Sequence, residues 1–245
     1  MKISALLIAR NEQHIIKDCL ESLSFADEII VILDRSVDDT ASICKKYTRK
    51  IFSGSWNCEG ERRNYGIKKC SNGWIFEIDA DEIVSKSLNN EILKKKKLTN
   101  FDFFYIKLIN YVGDKPLKYG WMGCMAPDGK FCMFKKNAKK WSKGLVHPNY
   151  DLVGKKGPGF KNFIIHKMSK NISDLVKRFN RNTTLYSKEL KLKNQNHSVS
   201  LRKVISRFVK SFFKRKGYKH GKLGFLISIF NAIYPLISII KSKEN

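Results

Sequence analysis

The chain has 245 residues, of which 42% are hydrophobic, and its 48 Lys and Arg outnumber its 22 Asp and Glu to give a net charge of +26. This hydrophobic content excludes a disordered chain and suffices for one large domain, alone or with a helical appendage. The charge predicts an anionic partner: nucleic acid, an anionic membrane or a phosphorylated substrate. Surface lysines that merely reflect coding bias are the alternative.

The first ninety or so residues alternate between predicted strands and predicted helices. Apolar runs of strand length occupy 3–9, 28–33, 50–52 and 74–78. Helical patterns lie between them, and Asn11 is predicted to cap the first helix. The apolar positions of that helix are Ile15, Ile16, Cys19, Leu20 and Leu23. The alternation predicts an α/β fold with a mainly parallel sheet and right-handed crossovers.

The pattern of residue types changes after about residue 100. The aromatic, partly alternating segment 101–112 predicts antiparallel strands, and a basic helical region follows at about 172–193. We therefore predict one domain at 1–170 and a C-terminal helical region at 171–245. Within the domain, the change in pattern separates a first half, residues 1–95, from a second half, residues 96–170.

Polar residues follow three of the predicted strands, at Asn11, Asp34 and the acids Asp79 and Asp81. Ligands of parallel α/β sheets bind beyond the carboxyl ends of the strands, so these residues are expected on one rim. Alternate residues of an extended chain point the same way, which turns Asp79 and Asp81 toward one spot. Two carboxylates with no Lys or Arg nearby in sequence predict a Mg²⁺ or Mn²⁺ site with positions open for substrate phosphates. A chance surface pair is the alternative.

Four ordered motifs carry a family resemblance: 8-IARNE-12, 30-IVILDRSVDDT-40, 62-RRNYGI-67 and 78-IDADE-82. Together they resemble the family 2 glycosyltransferases, which adopt the GT-A nucleotide-sugar fold. Within that family they are most similar to the bacterial β-1,4-glucosyltransferases of the lipopolysaccharide inner core. The resemblance covers residues 1 to about 90 and continues more loosely toward the C-terminus.

The resemblance implies a UDP-sugar donor and a role for each matching residue. It also implies that residues 1–95 are the nucleotide-sugar-binding half and residues 96–170 the acceptor-side half. It implies that Asp81 binds the metal directly, that Asp79 reaches the ion or the ribose through water, and that His166 is a further metal or pyrophosphate contact. The residues implied to contact the nucleotide sugar are Ala9, Arg10, Asn11, Glu12, Asp34, Arg62, Arg63, Asn64, Asp79 and Ala80. The residues alone leave a simpler alternative for several of these positions. Asn11 would be a helix cap, Arg62 and Arg63 a solvated helix start, and His166 a core histidine.

The acceptor side is less well defined. An inverting transfer needs a carboxylate to take the proton of the acceptor hydroxyl. Asp128 in 127-PDGK-130 is the candidate base, with a simple turn residue as its alternative. Asp151 is the next candidate, and His147 is expected to shape the acceptor side. Relatives often carry Glu where this chain has Pro148 and Arg where it has Cys132, which leaves the acceptor identity open.

The C-terminal region predicts attachment to a membrane. Apolar residues at helical spacing within 204–213 lie among Lys and Arg, a pattern typical of a helix on an anionic membrane surface. The apolar run 223–240 predicts an interfacial or re-entrant helix because Asn231 and Pro235 disfavour a span, and a core helix is its alternative. The N-terminal apolar run is too short for a signal peptide. We expect a cytoplasmic protein, peripheral on the inner face of the bacterial cytoplasmic membrane.

These observations predict a metal-dependent, inverting hexosyltransferase that moves glucose from UDP-glucose to a lipid-linked saccharide such as the lipopolysaccharide core. A protein, a capsule sugar or another glycolipid is the alternative acceptor. A basic nucleic-acid-binding protein is the alternative from a different class, suggested by the charge and by aromatic residues among basic ones. The chain contains no recognised binding module, so no nucleic-acid partner is expected.

Overall fold

The structure is a computed structural model that describes residues 1–97, 100–142, 149–192 and 198–244. It divides into two compact units. The first consists of Met1–Leu108 and Gly129–His166, and the second of Ile109–Asp128 and Lys167–Asn245. The chain last passes from the first unit to the second between His166 and Lys167, close to the predicted boundary at 170. Residues 109–128 also belong to the second unit, which the sequence patterns did not predict.

The N-terminal half of the first unit alternates strands and helices. Its strands are β1 (Ile3–Ala9), β2 (Glu28–Asp34), β3 (Ile51–Gly54) and β4 (Trp74–Asp79), and its helices are α1 (Ile16–Glu21), α2 (Thr40–Cys44) and α3 (Glu59–Lys69). β1 pairs in parallel with both β2 and β4, and β2 pairs in parallel with β3. Every residue of β1 is buried. Its uninterrupted apolar run is that of a central parallel strand covered on both faces.

Antiparallel strands extend this sheet. The elements that follow are β5 (Glu82–Val84), α4 (Lys86–Lys95), β6 (Phe103–Val112), β7 (Lys115–Pro116), β8 (Gly129–Lys135), β9 (Lys139–Trp141), β10 (Tyr150–Leu152) and β11 (Phe163–Ser169). The strand order is β3-β2-β1-β4-β8-β6-β11-β5, with β7 beside β6, and β9 and β10 form a separate pair. β8 is antiparallel to both β4 and β6. The expected α/β class, with antiparallel strands after residue 100, is confirmed.

Alternate residues of β1 enter two different apolar clusters. Leu7 packs in the cluster that includes Leu20, whereas Leu6 and Ile8 belong to the cluster that includes Ile67 of α3. Gly66 allows α3 to approach the sheet closely, since a Cβ atom there would lie 2.5 Å from Leu6 Cδ1. The two clusters together fix the strands whose carboxyl ends form the candidate site.

The first helix differs from the prediction. It begins at Ile16, and no side chain caps it. Asn11 instead has a left-handed backbone with φ of 56°, and its Oδ1 accepts a hydrogen bond from the Val37 backbone N–H at 2.9 Å. The predicted cap is therefore wrong, because the Asn11 side chain bonds to the loop after β2 rather than to its own helix.

The second unit is mostly helical in its described part. It contains α5 (Ile172–Leu192), α6 (Leu201–Val209), a π-helical turn (Lys210–Lys214), a 3₁₀ turn (Gly217–His220) and α7 (Gly221–Lys243). Residues 217–243 are long and apolar enough to cross a membrane by length and composition, a test that core helices also pass, and 44% of the most apolar window is buried. Phe179 of α5 stacks on Phe230 of α7 at 4.6 Å between ring centroids. α7 thus supplies much of this unit's core.

Candidate nucleotide-sugar and metal site

The loops after β1 and β2 are tied to each other at the sheet rim. The Glu12 backbone N–H donates to Thr40 Oγ1 at 2.8 Å, and the Gln13 backbone N–H donates to Asp38 Oδ2 at 3.1 Å. Ala9 is the buried last residue of β1, while Arg10 and Asn11 are exposed. The structure therefore brings the 9–12 loop and the end of β2 together, as the sequence analysis expected of ligand-binding residues on one rim.

Asp34, the last residue of β2, is almost fully buried between two arginines. Arg35 donates from Nε to Oδ1 at 2.9 Å and from Nη2 to Oδ2 at 3.0 Å, and Arg62 Nη1 donates to Oδ2 at 2.9 Å. Burial opposes ionisation of Asp34, but the two guanidinium groups outweigh it and lower the pKa of the carboxyl. Arg35 has φ of 52°, an uncommon backbone conformation for a long side chain. The sequence analysis did not single out Arg35.

Arg62 and Asn64 on α3 have different surroundings. Arg62 Nε is buried and has no hydrogen-bond partner among the described residues. A buried donor without a partner costs free energy, so this atom suits an anionic ligand. Asn64 instead donates to the Trp141 carbonyl at 2.8 Å and accepts from the Trp141 N–H at 3.0 Å. The Asn64 amide thus supports β9, and its contact to the nucleotide stays a prediction.

Asp79, the last residue of β4, is bound by two cations. Arg63 Nη2 donates to Oδ1 at 2.9 Å, and Lys130 Nζ donates to Oδ2 at 3.2 Å. Burial opposes ionisation, but these two cations hold the pKa of Asp79 well below its usual range. No Lys or Arg is close to the acids in sequence, which predicted a divalent cation to balance their charge; the structure also places two side-chain cations against Asp79. Arg63 comes from α3 and Lys130 from β8, both distant along the chain.

Glu82 completes the acidic cluster. Its Oε2 accepts from Lys130 Nζ at 2.5 Å and from the Asp79 backbone N–H at 3.0 Å. Burial raises the pKa of Glu82, and repulsion from Asp79 and Asp81 adds to the effect although Lys130 opposes it. The mutual repulsion of the acids is therefore offset in part by Lys130, which donates to both Asp79 and Glu82.

Asp81 faces a histidine. Its Oδ2 lies 3.1 Å from Nε2 of His166, a buried residue of β11. The antiparallel register of β11 and β5 pairs His166 with Glu82, which sets the imidazole beside the adjacent Asp81. The structure thus brings together two of the three residues predicted to contact a metal. Ala80, between the two aspartates, is buried.

Among the described residues, no group of three or more His, Cys, Asp and Glu side chains is arranged to hold a metal ion. A carboxylate oxygen and an imidazole nitrogen nevertheless suit Mn²⁺, and a nucleotide-bound ion takes only one or two protein ligands and fills its other positions with phosphate oxygens and water. Asp81 and His166 fit that role. Asp79 fits it less well because its two oxygens are already engaged by Arg63 and Lys130.

A buried ionic network lies behind Asp79. Glu77 is 1% exposed and accepts from Arg63 Nη1 at 2.7 Å and from Lys139 Nζ at 2.8 Å. Burial opposes its ionisation, but Lys139 and Arg63 outweigh it and lower the pKa of Glu77. Arg63 therefore joins Glu77 to Asp79, two residues further along the same strand. Glu77 is the one acid inside the apolar run 74-WIFEI-78, a signal that would have singled it out. Lys130 and Lys139 gave no such signal.

The acceptor-side candidates are dispersed. Asp128 is exposed immediately before β8 and belongs to the second unit, whereas Asp151 is exposed on β10 in the first. His147 and Pro148 lie outside the described residues. Cys132 is fully buried, and burial raises the pKa of its thiol to about 12. The roles of Asp128, Asp151 and His147 stay predictions.

The chain is similar to several known proteins, of which three are described. An uncharacterized glycosyltransferase of Rickettsia typhi is 27% identical over 99% of this chain and 87% of its own length. The lipopolysaccharide core biosynthesis glycosyltransferase LpsC of Rhizobium meliloti is 30% identical over 93 residues, 36% of this chain and 34% of its own. The crystal structure of S. aureus TarS 1–349 in complex with UDP aligns over 99% of this chain and 88% of its own, with 15% identity and a TM-score of 0.49.

The mixed sheet, parallel in its N-terminal half and with acids at its rim, is the architecture of the GT-A fold. The family model for glycosyl transferase family 2 matches residues 4–148, more than half of the chain, so the chain belongs to that family. The predicted family and fold are thereby confirmed, and the enzyme hypothesis is favoured over the nucleic-acid-binding alternative.

Proposed function

We propose that this enzyme transfers a hexose, with glucose as the first candidate, from a UDP-sugar to a lipid-linked saccharide with inversion at the anomeric carbon. The observation that carries the proposal is the pairing of Asp81 with His166, 3.1 Å apart, beside an aspartate already neutralised by Arg63 and Lys130. Such a rim can hold one divalent cation and a diphosphate without accumulating unbalanced charge.

The donor is held by residues of the rim. Asp34 and the 9–12 loop hold the uridine, and the Arg62 Nε–H, which lacks a partner among the described residues, donates to a phosphate oxygen. Asp81 and His166 hold a divalent cation, which when bound neutralises charge on the departing diphosphate. Asp79 stays ionised and meets the ribose or a water of the ion.

The transfer itself exchanges one bond for another. The acceptor hydroxyl oxygen forms a bond to the anomeric carbon while the bond from that carbon to the diphosphate oxygen breaks and UDP leaves. A carboxylate takes the hydroxyl proton, and Asp128 is the proposed base, with Asp151 as the second candidate. His147 is assigned to the acceptor side.

A lipid-linked acceptor of the lipopolysaccharide core type is supported by the similarity to LpsC, which covers 93 residues. It is also supported by the basic C-terminal region, which suits a peripheral position on the inner face of the cytoplasmic membrane. Loss of one hexose from the core oligosaccharide of a strain lacking the gene, seen by mass spectrometry, is the expected result. An unchanged core with an altered capsule or protein glycan would redirect the proposal to those acceptors.

Donor and metal binding are tested by thermal unfolding of the purified full chain. UDP with Mn²⁺ should raise the melting temperature, and EDTA should cancel the part of the rise that depends on the ion. Adenosine and guanosine diphosphates serve as controls and should shift it much less. Equal shifts with all three nucleotides, or none with any, would contradict the proposal.

The role of Asp81 is tested by the variant Asp81→Asn. It should lower UDP-sugar hydrolysis by about 100-fold or more and abolish the Mn²⁺-dependent part of the UDP shift, because a neutral amide is a poor ligand for a hard cation. Asp114→Asn, an exposed turn position in the second unit, is the matched control and should behave as the wild type. Full activity of Asp81→Asn would remove the metal assignment.

A further inference from the structure

α6 exposes apolar side chains although it belongs to a folded unit. None of its residues is buried. Leu201, Ile205, Val209 and, in the π-helical turn, Phe213 follow one another at intervals of four and are 73%, 54%, 45% and 57% exposed. A helix of a soluble protein normally turns such a stripe inward, so an outward one marks a surface for a partner. We call these four residues the docking stripe.

Two other apolar residues of this segment contact α7. Phe208 and Phe212 are half-buried and pack edge to face on Phe225, at 5.7 and 5.8 Å between ring centroids. The sequence pattern predicted that the apolar residues of 204–213 share one helical face, whereas in the structure Ile205 and Phe213 are exposed. Phe208 and Phe212 attach α6 to its own unit, and the docking stripe remains outside.

The charged residues of the segment that carries the docking stripe are all of one sign. The chain contains no Asp or Glu between Glu189 and Glu244. Two basic residues are used internally: Arg207 Nε donates to the Asn231 carbonyl at 2.7 Å, and Arg215 Nη1 donates to the Trp121 carbonyl at 2.5 Å. Exposed basic residues of the same segment are Arg202, Lys203, Lys210, Lys214, Lys216, Lys219 and Lys222. Apolar residues rimmed by cations complement a surface with anionic groups above hydrocarbon.

α7 is poorly suited to enter the bilayer itself. Its polar residues Ser228, Asn231 and Ser238 are fully buried. Asn231 Nδ2 donates to the Gly120 carbonyl and to Ser211 Oγ, both at 3.0 Å. Pulling α7 into lipid would break these hydrogen bonds and expose the core that α7 forms with α5.

We propose that the docking stripe and its surrounding lysines and arginines bind an anionic lipid bilayer, with Leu201, Ile205, Val209 and Phe213 between the headgroups and α7 retained in the protein. The proposal takes up the peripheral position given under the proposed function, and its test does not require the transfer reaction. It assigns attachment to α6 and the π-helical turn, as the sequence pattern at 204–213 also indicated, and not to the apolar run 223–240.

The test is co-sedimentation of the full chain with vesicles of phosphatidylcholine alone or mixed with phosphatidylglycerol. Binding is expected to the mixed vesicles. Leu201→Gln/Ile205→Gln/Phe213→Gln should weaken it by about tenfold or more. Arg202→Gln/Lys203→Gln/Lys210→Gln should weaken it by about a hundredfold. Leu93→Gln/Val153→Gln, at exposed apolar positions of the first unit, is the matched control and should bind as the wild type.

Several results would overturn the proposal. One is that the apolar variant binds vesicles as well as the control does, and another is that the protein binds both vesicle types equally. The others are that the protein binds DNA but not vesicles, or that it does not bind vesicles and forms a dimer which the apolar variant cannot form. Each variant is also checked by the UDP and Mn²⁺ melting shift, which reports folding and donor binding. A variant that keeps the melting shift but loses vesicle binding would show that membrane docking can be lost while donor binding is retained.

Discussion

Asp79 has a role that its sequence neighbours do not suggest. Its carboxylate bonds to Arg63 and Lys130, and Arg63 in turn bonds to the buried Glu77. Arg63 therefore links Asp79 to Glu77, and Lys139 neutralises Glu77 at its other carboxylate oxygen. Buried ion networks of this kind hold polar side chains in one geometry but are destabilised when one partner is lost.

The variant Asp79→Asn tests this network through the pH dependence of stability. Because the folded-state pKa of Asp79 is lowered, its contribution is complete above the pKa of about 4 of an unfolded aspartate and disappears as the pH falls toward the folded value. At pH 7 the variant should lose about 1–3 kcal/mol of unfolding free energy, less than a fully buried pair would, since the side chain is 32% exposed.

Urea unfolding at several pH values measures this difference. The difference in unfolding free energy between the wild type and Asp79→Asn should stay constant from about pH 7 to pH 5 and become smaller below about pH 4. Asp18→Asn, at an exposed position of α1, is the control and should leave the unfolding free energy nearly unchanged. A gap that grows on acidification would show that Asp79 is not held in its ionised form.

At the scale of elements, α3 has the tightest packing near the site. Gly60 lies in its first turn, and a Cβ atom there would come 1.8 Å from the backbone carbonyl oxygen of Ser142. This approach holds the residue after β9 against the start of the helix that carries Arg62 and Arg63. Glycine is needed here for space, since a backbone oxygen cannot swing aside as a side chain can.

The variant Gly60→Ala should therefore destabilise the protein by about 1–3 kcal/mol, although alanine in a helix is ordinarily better than glycine by about 1 kcal/mol. Gly73→Ala is the matched control, because nothing lies within 4 Å of a Cβ atom there, and it should change stability by less than about 0.5 kcal/mol. Both are measured by thermal unfolding. A stabilised Gly60→Ala would mean that β9 and α3 are further apart.

For the whole molecule, local patterns predicted the parallel half of the sheet and much of its rim. The runs that became β1, β2 and β4 are mostly apolar, and a polar residue lies at or just after the end of each: Asn11, Asp34 and Asp79. The pairs that neutralise the acids could not be predicted in this way. Lys130 reaches Asp79 only because β8 lies beside β4, and a parallel-strand pattern carries no information on an antiparallel neighbour from a distant part of the chain.

The second unit was harder to predict for the same reason. Trp121 and Met125 lie in the segment between β7 and β8. They share an apolar cluster with Phe179 of α5 and Phe230 of α7. The sequence showed 223–240 as apolar but not whether protein or lipid covers it. In the structure the protein covers one side of this helix: Ser228 and Asn231 are fully buried, and Asn231 donates to a carbonyl and a hydroxyl of the same unit.

The absence of carboxylates between Glu189 and Glu244 has a consequence for how attachment is controlled. Lysine and arginine side chains as classes keep their protons well above neutral pH, and burial lowers the pKa of His220, the described histidine of this stretch. Mild acid can therefore only add positive charge to this stretch, on its histidines, one of which, His197, lies outside the described residues. Vesicle binding should not weaken between about pH 8 and pH 5 and should fall steeply as sodium chloride is added. Under the docking proposal, lipid composition and ionic strength would control attachment.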